Sequence, residues 1–336
     1  MRDSVVLMTS ATSTILPLAG SIPRTSPYHL SREQIEQFDH DGFLILRNWI
    51  NGDLLRQLQE AATRMIDRGI ELHRSPDFSE INGDKDYVFA KRENGKEVFF
   101  RINYLYTKKE EVMIALLGSP QVLGLAESMN GYNFVPAYES MVFKMPGDGE
   151  AVHWHQDAWQ ERGFRVWNFD LYLDASKRSN GCLRVIPGSQ KVKHNACEAA
   201  AKYGWEHKDI TFVEMDPGDV LLHDTMILHG SPRVQGSDAI RRTIYLEFRS
   251  VEQIEAEGPW DRYWVDQRLQ LVPVALDAFP RKFPEDLKFH WKVDPIYRPV
   301  ELPVEDTVLK VKHYTHSPGA YCSANSLPDN VKPPVA

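Results

Sequence analysis

The chain of 336 residues is long enough to bury a substantial core, and its 42% hydrophobic and 26% charged residues are ordinary for a globular protein. A formal charge of −8 and a pI near 5.9 argue against general binding to nucleic acid or to anionic membranes, because both attract basic surfaces. A small-molecule partner fits this composition better.

Signals for export or membrane insertion are weak. The three cysteines are odd in number and widely spaced, which makes a disulfide framework improbable and favours a reducing compartment. Serine and threonine interrupt the apolar run over residues 5–18, so no secretory signal is predicted. No window approaches the ~20 apolar residues of a membrane span. We therefore expect a soluble, cytoplasmic protein without a membrane partner.

The chain divides by composition into three parts. Residues 1–29, with several Ser, Thr and Pro, are predicted to be a flexible arm. Residues 30–314 are predicted to form a single domain, in which the segment after residue 251 is a helical and coil cover. Residues 315–336 are rich in Pro, Ser and Asn and are predicted to be a loosely ordered tail.

The domain is expected to begin with a helix and a short strand. Ser31, followed three residues later by Gln34, has the spacing of a capping box, and Gly42 is a natural helix terminator. The apolar run over residues 43–46 has the length of a strand.

Further helices are predicted before the β-rich region. Apolar residues at helical spacing predict a second helix from about Asp53 to Gly69, and the polar stretch 70–100 suggests an exposed excursion, with a strand at its end. Ser119 before Pro120 is a cap followed by proline at the first helical position, and Gly131 would end that helix.

From residue 136 onward, short apolar runs alternate with Gly, Pro and Asp turns, a pattern typical of a β-sandwich or barrel. The predicted strands cover residues 138–144, 151–158, 166–173, 182–186, 211–213, 220–222, 227–228 and 243–248.

One predicted strand carries a pair of metal-ligand side chains. His155 and Asp157 stand two residues apart, so their side chains share one face of the strand and can converge on one point. An imidazole and a carboxylate are two thirds of the 2-His-1-carboxylate triad that holds non-haem Fe(II) with open positions. The spacing therefore predicts a metal site that needs one more histidine.

The chain supplies further histidines and an arginine pair downstream. His223 and His229 follow the predicted strand 220–222, and Arg241 and Arg242 open the strand that comes next. A guanidinium there could bind a carboxylate with two hydrogen bonds, which a lysine cannot do with equal definition.

These motifs occur together in a known family. HWHQD, SNGCLRVIPGSQK and HGSPRVQGSDAIRRTI, in this order, resemble the phytanoyl-CoA dioxygenase family of Fe(II)/2-oxoglutarate-dependent oxygenases, and LSREQIEQFDHDGFLILRNWI is similar to its N-terminal helix and strand. The likeness covers residues from about 30 to 250. It implies a mainly β fold with helical additions, the double-stranded β-helix or cupin-like jelly roll.

The resemblance also implies roles for five residues. His155, Asp157 and His229 would be the catalytic iron ligands, Arg241 would bind the distal carboxylate of 2-oxoglutarate, and Ser231 would assist it. Arg241 is preferred to Arg242 because it fits the family pattern of an arginine, a variable residue, a small one and an apolar one. Strand alternation also allows only one of the two to face inward.

Other residues near these motifs have competing interpretations. His223 could replace His229 as a ligand, whereas His153 is expected to lie outside the ligand set. Lys144 and Trp167 match family positions without an assigned role, and Gln190 stands where the family usually has a histidine. Cys182 is expected to be a buried thiol, Arg184 a structural residue, and the tryptophans mostly core residues, with one or two that could line a substrate pocket: Trp154, Trp159, Trp167, Trp260 and Trp264.

The implied reaction consumes Fe(II)-bound 2-oxoglutarate and O2, releases succinate and CO2, and hydroxylates or otherwise oxidises an unactivated C–H bond of a small organic substrate. Because Asp157 occupies a position that is a small residue in related halogenases, halogenation is disfavoured. Two alternatives remain at this point: a metal-binding jelly-roll protein without oxygenase activity, and an interaction module with a vestigial pocket.

Overall fold

The computed structural model describes residues 27–82, 86–91, 95–148, 151–158, 163–233, 239–299 and 320–321. The predicted arm up to residue 26, and all of the predicted tail except residues 320–321, lie outside this description. The division into arm, domain and tail remains a prediction.

The first helix and strand form where local sequence signals place them. Helix α1 (Arg32–Asp41) has both reciprocal hydrogen bonds of a capping box between Ser31 and Gln34. Gly42 ends it at φ 82°, a conformation that favours glycine. Strand β1 (Phe43–Leu46) follows directly. These predictions are confirmed.

The second helix is longer than predicted. Helix α2 spans Gly52–His73 and passes through Gly69. A Cβ added at Gly69 would lie 2.6 Å from the ring of Phe99, so this glycine lets a strand pack closely against the helix. The prediction that Gly69 ends the helix is therefore wrong, because the residue serves packing.

The polar stretch after this helix is more ordered than an exposed excursion. It contains helix α3 (Phe78–Ile81) and strands β2 (Tyr87–Lys91) and β3 (Glu97–Asn103), which pair antiparallel. A 3₁₀ turn (Leu105–Lys108) follows.

Helices α4 (Glu111–Gly118) and α5 (Pro120–Asn130) are buried, and Ser119 caps α5 as predicted, by accepting from the Val122 N–H. Among the described residues no single helix has the length and apolarity to cross a membrane; α4 and α5 reach that apolarity only as a pair bent by 46°.

Eight further strands make up the β-rich region. They are β4 (Phe134–Lys144), β5 (Val152–Gln156), β6 (Trp167–Tyr172), β7 (Leu183–Val185), β8 (Thr211–Val213), β9 (Val220–Asp224), β10 (His229–Ser231) and β11 (Arg241–Ser250). The predicted strand at 227–228 is wrong, because the strand starts at His229. Short 3₁₀ turns cover Arg178–Asn180 and Ser189–Lys191.

The strands form two antiparallel sheets. One has seven strands in the order β1-β9-β6-β11-β4-β3-β2, and the other has five in the order β12-β5-β10-β7-β8, where β12 is Ala320–Tyr321. Tyr172 and Leu221 of the larger sheet pack against Val185 and Val213 of the smaller sheet. We call the face of the larger sheet that bears Tyr172 and Leu221 its inner face.

The opposite, outer face of the larger sheet packs on the helices. Phe169, Leu171, Ile244 and Leu246 belong to one hydrophobic core with the apolar sides of the helices. This arrangement leaves the space between the two sheets for the polar side chains of the site.

Four further helices of the described chain complete the structure; the first was not predicted, and the other three lie in the segment after residue 251 that was predicted to be helix and coil. They are α6 (Ala196–Tyr203), α7 (Val251–Glu257), α8 (Arg262–Leu269) and α9 (Leu271–Lys282). Helix α9 lies against α4 so closely that a Cβ at Gly118 would be 1.9 Å from the Ala275 carbonyl oxygen. Cys182 is a buried free thiol, as expected.

Candidate metal centre

Two neighbouring strands bring two histidines together. Strands β5 and β10 pair antiparallel, with His155 directly opposite His229, and the two ring centroids are 4.1 Å apart. Gly230 permits this approach, since a Cβ there would lie 2.9 Å from the Val152 carbonyl oxygen.

Asp157 completes a group of three ligand side chains. One ligand atom from each of His155, Asp157 and His229 lies within 4.8 Å of the others. The Asp157 carboxylate is 3.4 Å from the His155 Nε2 and 3.8 Å from the His229 Nε2. The spacing from which the site was predicted therefore does place these side chains at one point.

Backbone contacts orient both imidazoles. The His155 Nδ1 lies 2.7 Å from the His153 carbonyl oxygen, and the His229 Nδ1 lies 2.9 Å from the Ile227 carbonyl oxygen. A carbonyl can only accept, so each Nδ1 carries the proton and donates. The Nε2 atom of each ring is then directed at the group, as a metal ligand requires. His153 contributes its carbonyl and not its ring.

The electrostatics keep His229 and Asp157 in their metal-binding protonation states. Burial lowers the pKa of His229 to about 3, assisted by the neighbouring His155 ring. Burial alone would raise the pKa of the Asp157 carboxyl, but His229, His155 and His223 together hold it well below its usual range. The Asp157 side chain is 35% exposed, whereas those of His155 and His229 are 8% exposed, so the group opens on the aspartate side.

His223 lies beside this group and outside it. Its Nδ1 is 2.7 Å from Asp170 Oδ2, and its Nε2 is 3.4 Å from Asp157 Oδ2. Although His223 is buried, the Asp170 and Asp157 carboxylates hold its pKa above the ordinary value. His223 is thus placed to orient the Asp157 carboxylate. Of the two histidines that the sequence offered as the second histidine ligand, the structure favours His229.

Sequence reasoning missed the partners of His223. Asp170 is fully buried on β6, and the Asn168 Nδ2 is 3.2 Å from the His223 Nε2. A signal was present, because Asn168 and Asp170 alternate with the apolar Trp167, Phe169 and Leu171. Polar residues on one face of an otherwise apolar strand indicate a polar site.

The two arginines at the start of β11 point to opposite faces. Arg241 lies on the inner face, where it donates to the Ser176 hydroxyl at 3.4 Å and to the Gly181 carbonyl. Arg242 lies on the outer face and makes an ion pair with Asp174, with Nε and Nη2 each 2.8 Å from a carboxylate oxygen. The prediction that only one of them faces inward, and that it is Arg241, agrees with these contacts.

Two more inner residues connect Arg241 to the three-ligand group. Tyr245 lies on the same face of β11 as Arg241 and pairs with Asp170 of β6, the partner of His223. Ser231 is buried, and its hydroxyl oxygen has no hydrogen-bond partner among the described residues. A β-bulge between His229 and Ser231 shifts the register. An orphaned hydroxyl two residues from a ligand histidine is free for a bound co-substrate.

Several residues singled out in the sequence have structural roles. The Gln190 side-chain amide donates to the Asp39 and His40 carbonyls at the end of α1. Arg184 forms an ion pair with Glu206, as its structural interpretation predicted. Trp167 is buried on the outer face and donates to the Asn130 side chain. Trp154 is buried against Trp205, Trp260 stacks on Trp264, and Trp159 lies outside the described residues.

The donor set fits Fe(II). Two imidazoles and one carboxylate on one side of a point would leave the other positions of a six-coordinate metal open. The residues present therefore suit a facial triad with room for a bidentate keto acid and O2. Among the described residues, the group contains neither a cysteine nor a second carboxylate, which would favour another metal chemistry.

Comparisons with known proteins agree with this chemistry. The model of the phytanoyl-CoA dioxygenase (PhyH) family matches residues 38–243. The 2-aminoethylphosphonate dioxygenase of the uncultured bacterium HF130_AEPn_1 is 24% identical over 259 residues, which are 74% of this chain and 91% of that protein.

Solved structures share the architecture. AviO1 from Streptomyces viridochromogenes Tue57 has a TM-score of 0.55 at 26% identity, covering 68% of this chain and 96% of its own. EctD from S. alaskensis with 2-oxoglutarate and 5-hydroxyectoine has a TM-score of 0.55 at 20% identity, covering 74% and 88%. The predicted jelly roll is confirmed.

Proposed function

The chain belongs to the phytanoyl-CoA dioxygenase family, and from this premise we propose that it oxidises an unactivated C–H bond of a small organic substrate. It is a 2-oxoglutarate-dependent non-haem iron dioxygenase with Fe(II), 2-oxoglutarate and O2 as its reaction partners. Hydroxylation is the proposed outcome, with succinate and CO2 as co-products.

One observation carries the proposal: one ligand atom from each of His155, Asp157 and His229 lies within 4.8 Å of the others, and both histidines donate their Nδ1 proton to a backbone carbonyl. In the proposed site these three residues hold Fe(II). The metal, when bound with 2-oxoglutarate, supplies the activation of O2 that an amino-acid side chain cannot perform.

The residues of the chain position the reacting groups. Arg241 binds the distal carboxylate of 2-oxoglutarate, and Ser231 donates its free hydroxyl to the same carboxylate. The Arg241 guanidinium remains charged although burial lowers its pKa. His223, held by Asp170, fixes the orientation of the Asp157 carboxylate.

The substrate is proposed to be a small molecule. The relatives include proteins named 2-aminoethylphosphonate dioxygenase and ectoine dioxygenase, and the acidic chain offers no broad basic surface for a polyanionic partner such as a CoA ester.

The test is anaerobic loading with Fe(II) and 2-oxoglutarate, followed by admission of O2 and candidate substrates. Succinate formation that depends on O2 and is stimulated by a substrate is the expected result. Changing His155 to Ala or Asp157 to Ala should abolish it and weaken Fe(II) binding in calorimetric titrations.

A matched control is His153→Ala, which removes a neighbouring imidazole of the same strand but keeps the carbonyl that orients His155. This variant should keep both Fe(II) binding and succinate formation. Full turnover in Asp157→Ala would refute the proposed ligand set. Tight metal binding by the wild type without succinate formation would instead support a metal-binding jelly-roll protein that is not an oxygenase.

A further inference from the structure

The inner face of the larger sheet carries a second arginine close to the metal centre. Arg101 lies on β3 opposite Val142 of β4, and its Nη2 donates to the Tyr138 hydroxyl and, at 3.3 Å, to the Ser140 hydroxyl. Its guanidinium carbon is 5.4 Å from the centre of the Tyr138 ring. The Arg101 side chain therefore extends along the surface of the sheet from the level of Val142 toward Tyr138.

Tyr138 lies at the same end of the larger sheet as His223. Across four neighbouring strands, Tyr138 of β4 pairs with Glu247 of β11, Glu247 pairs with Asn168 of β6, and Asn168 pairs with His223 of β9. Because the His223 Nε2 is 3.4 Å from Asp157 Oδ2, Tyr138 lies at the end of the larger sheet that is next to the metal ligands. The Arg101 guanidinium thus lies on the β3–β4 side of the metal centre.

Arg101 has no carboxylate partner in the part of the chain that the structure describes, and its buried Nε has no hydrogen-bond partner there. Arginines that are buried in the described part of the protein include pairs with carboxylates: Arg242 with Asp174, Arg249 with Glu247, and Arg268 with Glu139. An unpaired buried N–H of a charged group is costly, so an arginine kept in this state suits an anion that arrives from outside.

Arg241 is the other inner-face arginine whose described hydrogen bonds go only to neutral oxygens. The proposed function gives it the distal carboxylate of 2-oxoglutarate, and the keto-acid end of that molecule goes to the metal. Both ends of the co-substrate are then bound, so Arg101 is left for a different anion.

We propose that Arg101, with the hydroxyls of Tyr138 and Ser140, binds an anionic group of the substrate that is oxidised, a carboxylate or a phosphonate. This inference rests on the proposed function and narrows its substrate class to small anions. The fork of the guanidinium would fix the anion with two hydrogen bonds, and the substrate would reach from there toward the open side of the metal centre at Asp157.

The experiment uses two small anions, methylphosphonate and propionate, and their neutral counterparts, dimethyl methylphosphonate and propionamide. Each is titrated calorimetrically into anaerobic protein loaded with Fe(II) and 2-oxoglutarate. The wild type should bind at least one anion more tightly than its neutral counterpart. Arg101→Gln should weaken that binding by about tenfold to 100-fold, the loss expected for hydrogen bonds to a charged group.

Three further variants make the result specific. Arg101→Lys keeps the charge and should retain part of the affinity. Arg32→Gln removes an arginine whose side chain is 87% exposed on α1, and it should bind the anion as the wild type does. Arg101→Gln should bind 2-oxoglutarate normally, and its thermal unfolding should match that of the wild type.

Equal anion binding by the wild type and Arg101→Gln would overturn the inference, as would loss of 2-oxoglutarate binding in Arg101→Gln. Failure of the wild type to bind Fe(II) and 2-oxoglutarate would instead overturn the proposed function. For that case the anions are titrated into the Arg241→Gln protein without metal or co-substrate. If the Arg241→Gln protein binds the anion and the double variant with Arg101→Gln does not, the Arg101 site is still supported. If the Arg241→Gln protein does not bind the anion, the Arg101 site is overturned.

Discussion

Changing Arg241 and Arg242 to glutamine, one at a time, should separate co-substrate binding from stability. Arg242 is buried on the outer face, and besides its ion pair with Asp174 it donates to the Gln59 carbonyl at 2.9 Å and to the Thr63 hydroxyl at 2.8 Å. Removing one member of a buried ion pair costs about 3–5 kcal/mol. Arg242→Gln should therefore lower the free energy of unfolding by about that amount.

Arg241→Gln should have little effect on the free energy of unfolding but should strongly weaken 2-oxoglutarate binding. Its described hydrogen bonds go to neutral oxygens of one loop, so the loss in the free energy of unfolding should be only about 1 kcal/mol. Two hydrogen bonds to the 2-oxoglutarate carboxylate, each about 1.5–3 kcal/mol, would be lost, which weakens 2-oxoglutarate binding by about 10²- to 10⁴-fold.

Urea unfolding followed by circular dichroism measures the free energy of unfolding. Anaerobic calorimetry with Fe(II) and 2-oxoglutarate measures the affinity for 2-oxoglutarate. Because the two residues are adjacent and chemically identical, each serves as the control of the other. The reasoning from strand faces would be refuted if Arg242→Gln lost 2-oxoglutarate binding while Arg241→Gln kept it.

Three other predictions concern single side chains. His223→Phe should weaken Fe(II) binding about tenfold to 100-fold in calorimetry, because the Asp157 carboxylate loses an orienting partner; unchanged affinity would contradict this role. Ser231→Ala should raise the KM for 2-oxoglutarate about fivefold and leave kcat unchanged, and a fall in kcat alone would argue against contact with the co-substrate. Burial opposes ionisation of Asp219, but backbone N–H groups and Arg47 outweigh it and lower its pKa below 3.8. Its carboxylate therefore stabilises the fold above that pH and stops doing so as the pH falls through the folded-state pKa. Asp219→Asn should be less stable than the wild type in urea at about pH 7, and the difference should shrink as the pH is lowered through the folded-state pKa.

Interactions between residues near in sequence were predictable. The capping box at Ser31, the terminator Gly42 and the cap at Ser119 each depend on a few adjacent residues, so the helices begin and end where the pattern places them. Strand alternation likewise predicts, without knowledge of the fold, that the Arg241 and Arg242 side chains point to opposite faces of the sheet. The convergence of His155 and Asp157 was predictable for the same reason, because a strand places side chains two residues apart on one face.

Features that depend on distant residues were not predictable. Gly69 stays inside a helix because a strand formed about thirty residues later packs on it, and no local pattern contains that information. The contact between His223 and Asp170 joins two strands that pair only in the folded sheet. Helix α6 is different, because its cap at Asn195 and the alanines that follow were a readable local signal.

The pairing of β12 with β5 has a consequence for the order in which the chain is made. Ala320 and Tyr321 pair with Gln156 and His155, so the backbone of the ligand-bearing strand has β10 on one side and β12 on the other. During translation His155 leaves the ribosome long before residues 320–321 exist. Until then β5 is the edge of its sheet, with unpaired backbone groups beside the metal ligands. A polypeptide shortened before residue 320 keeps that edge permanently and gains a site for strand pairing with other chains.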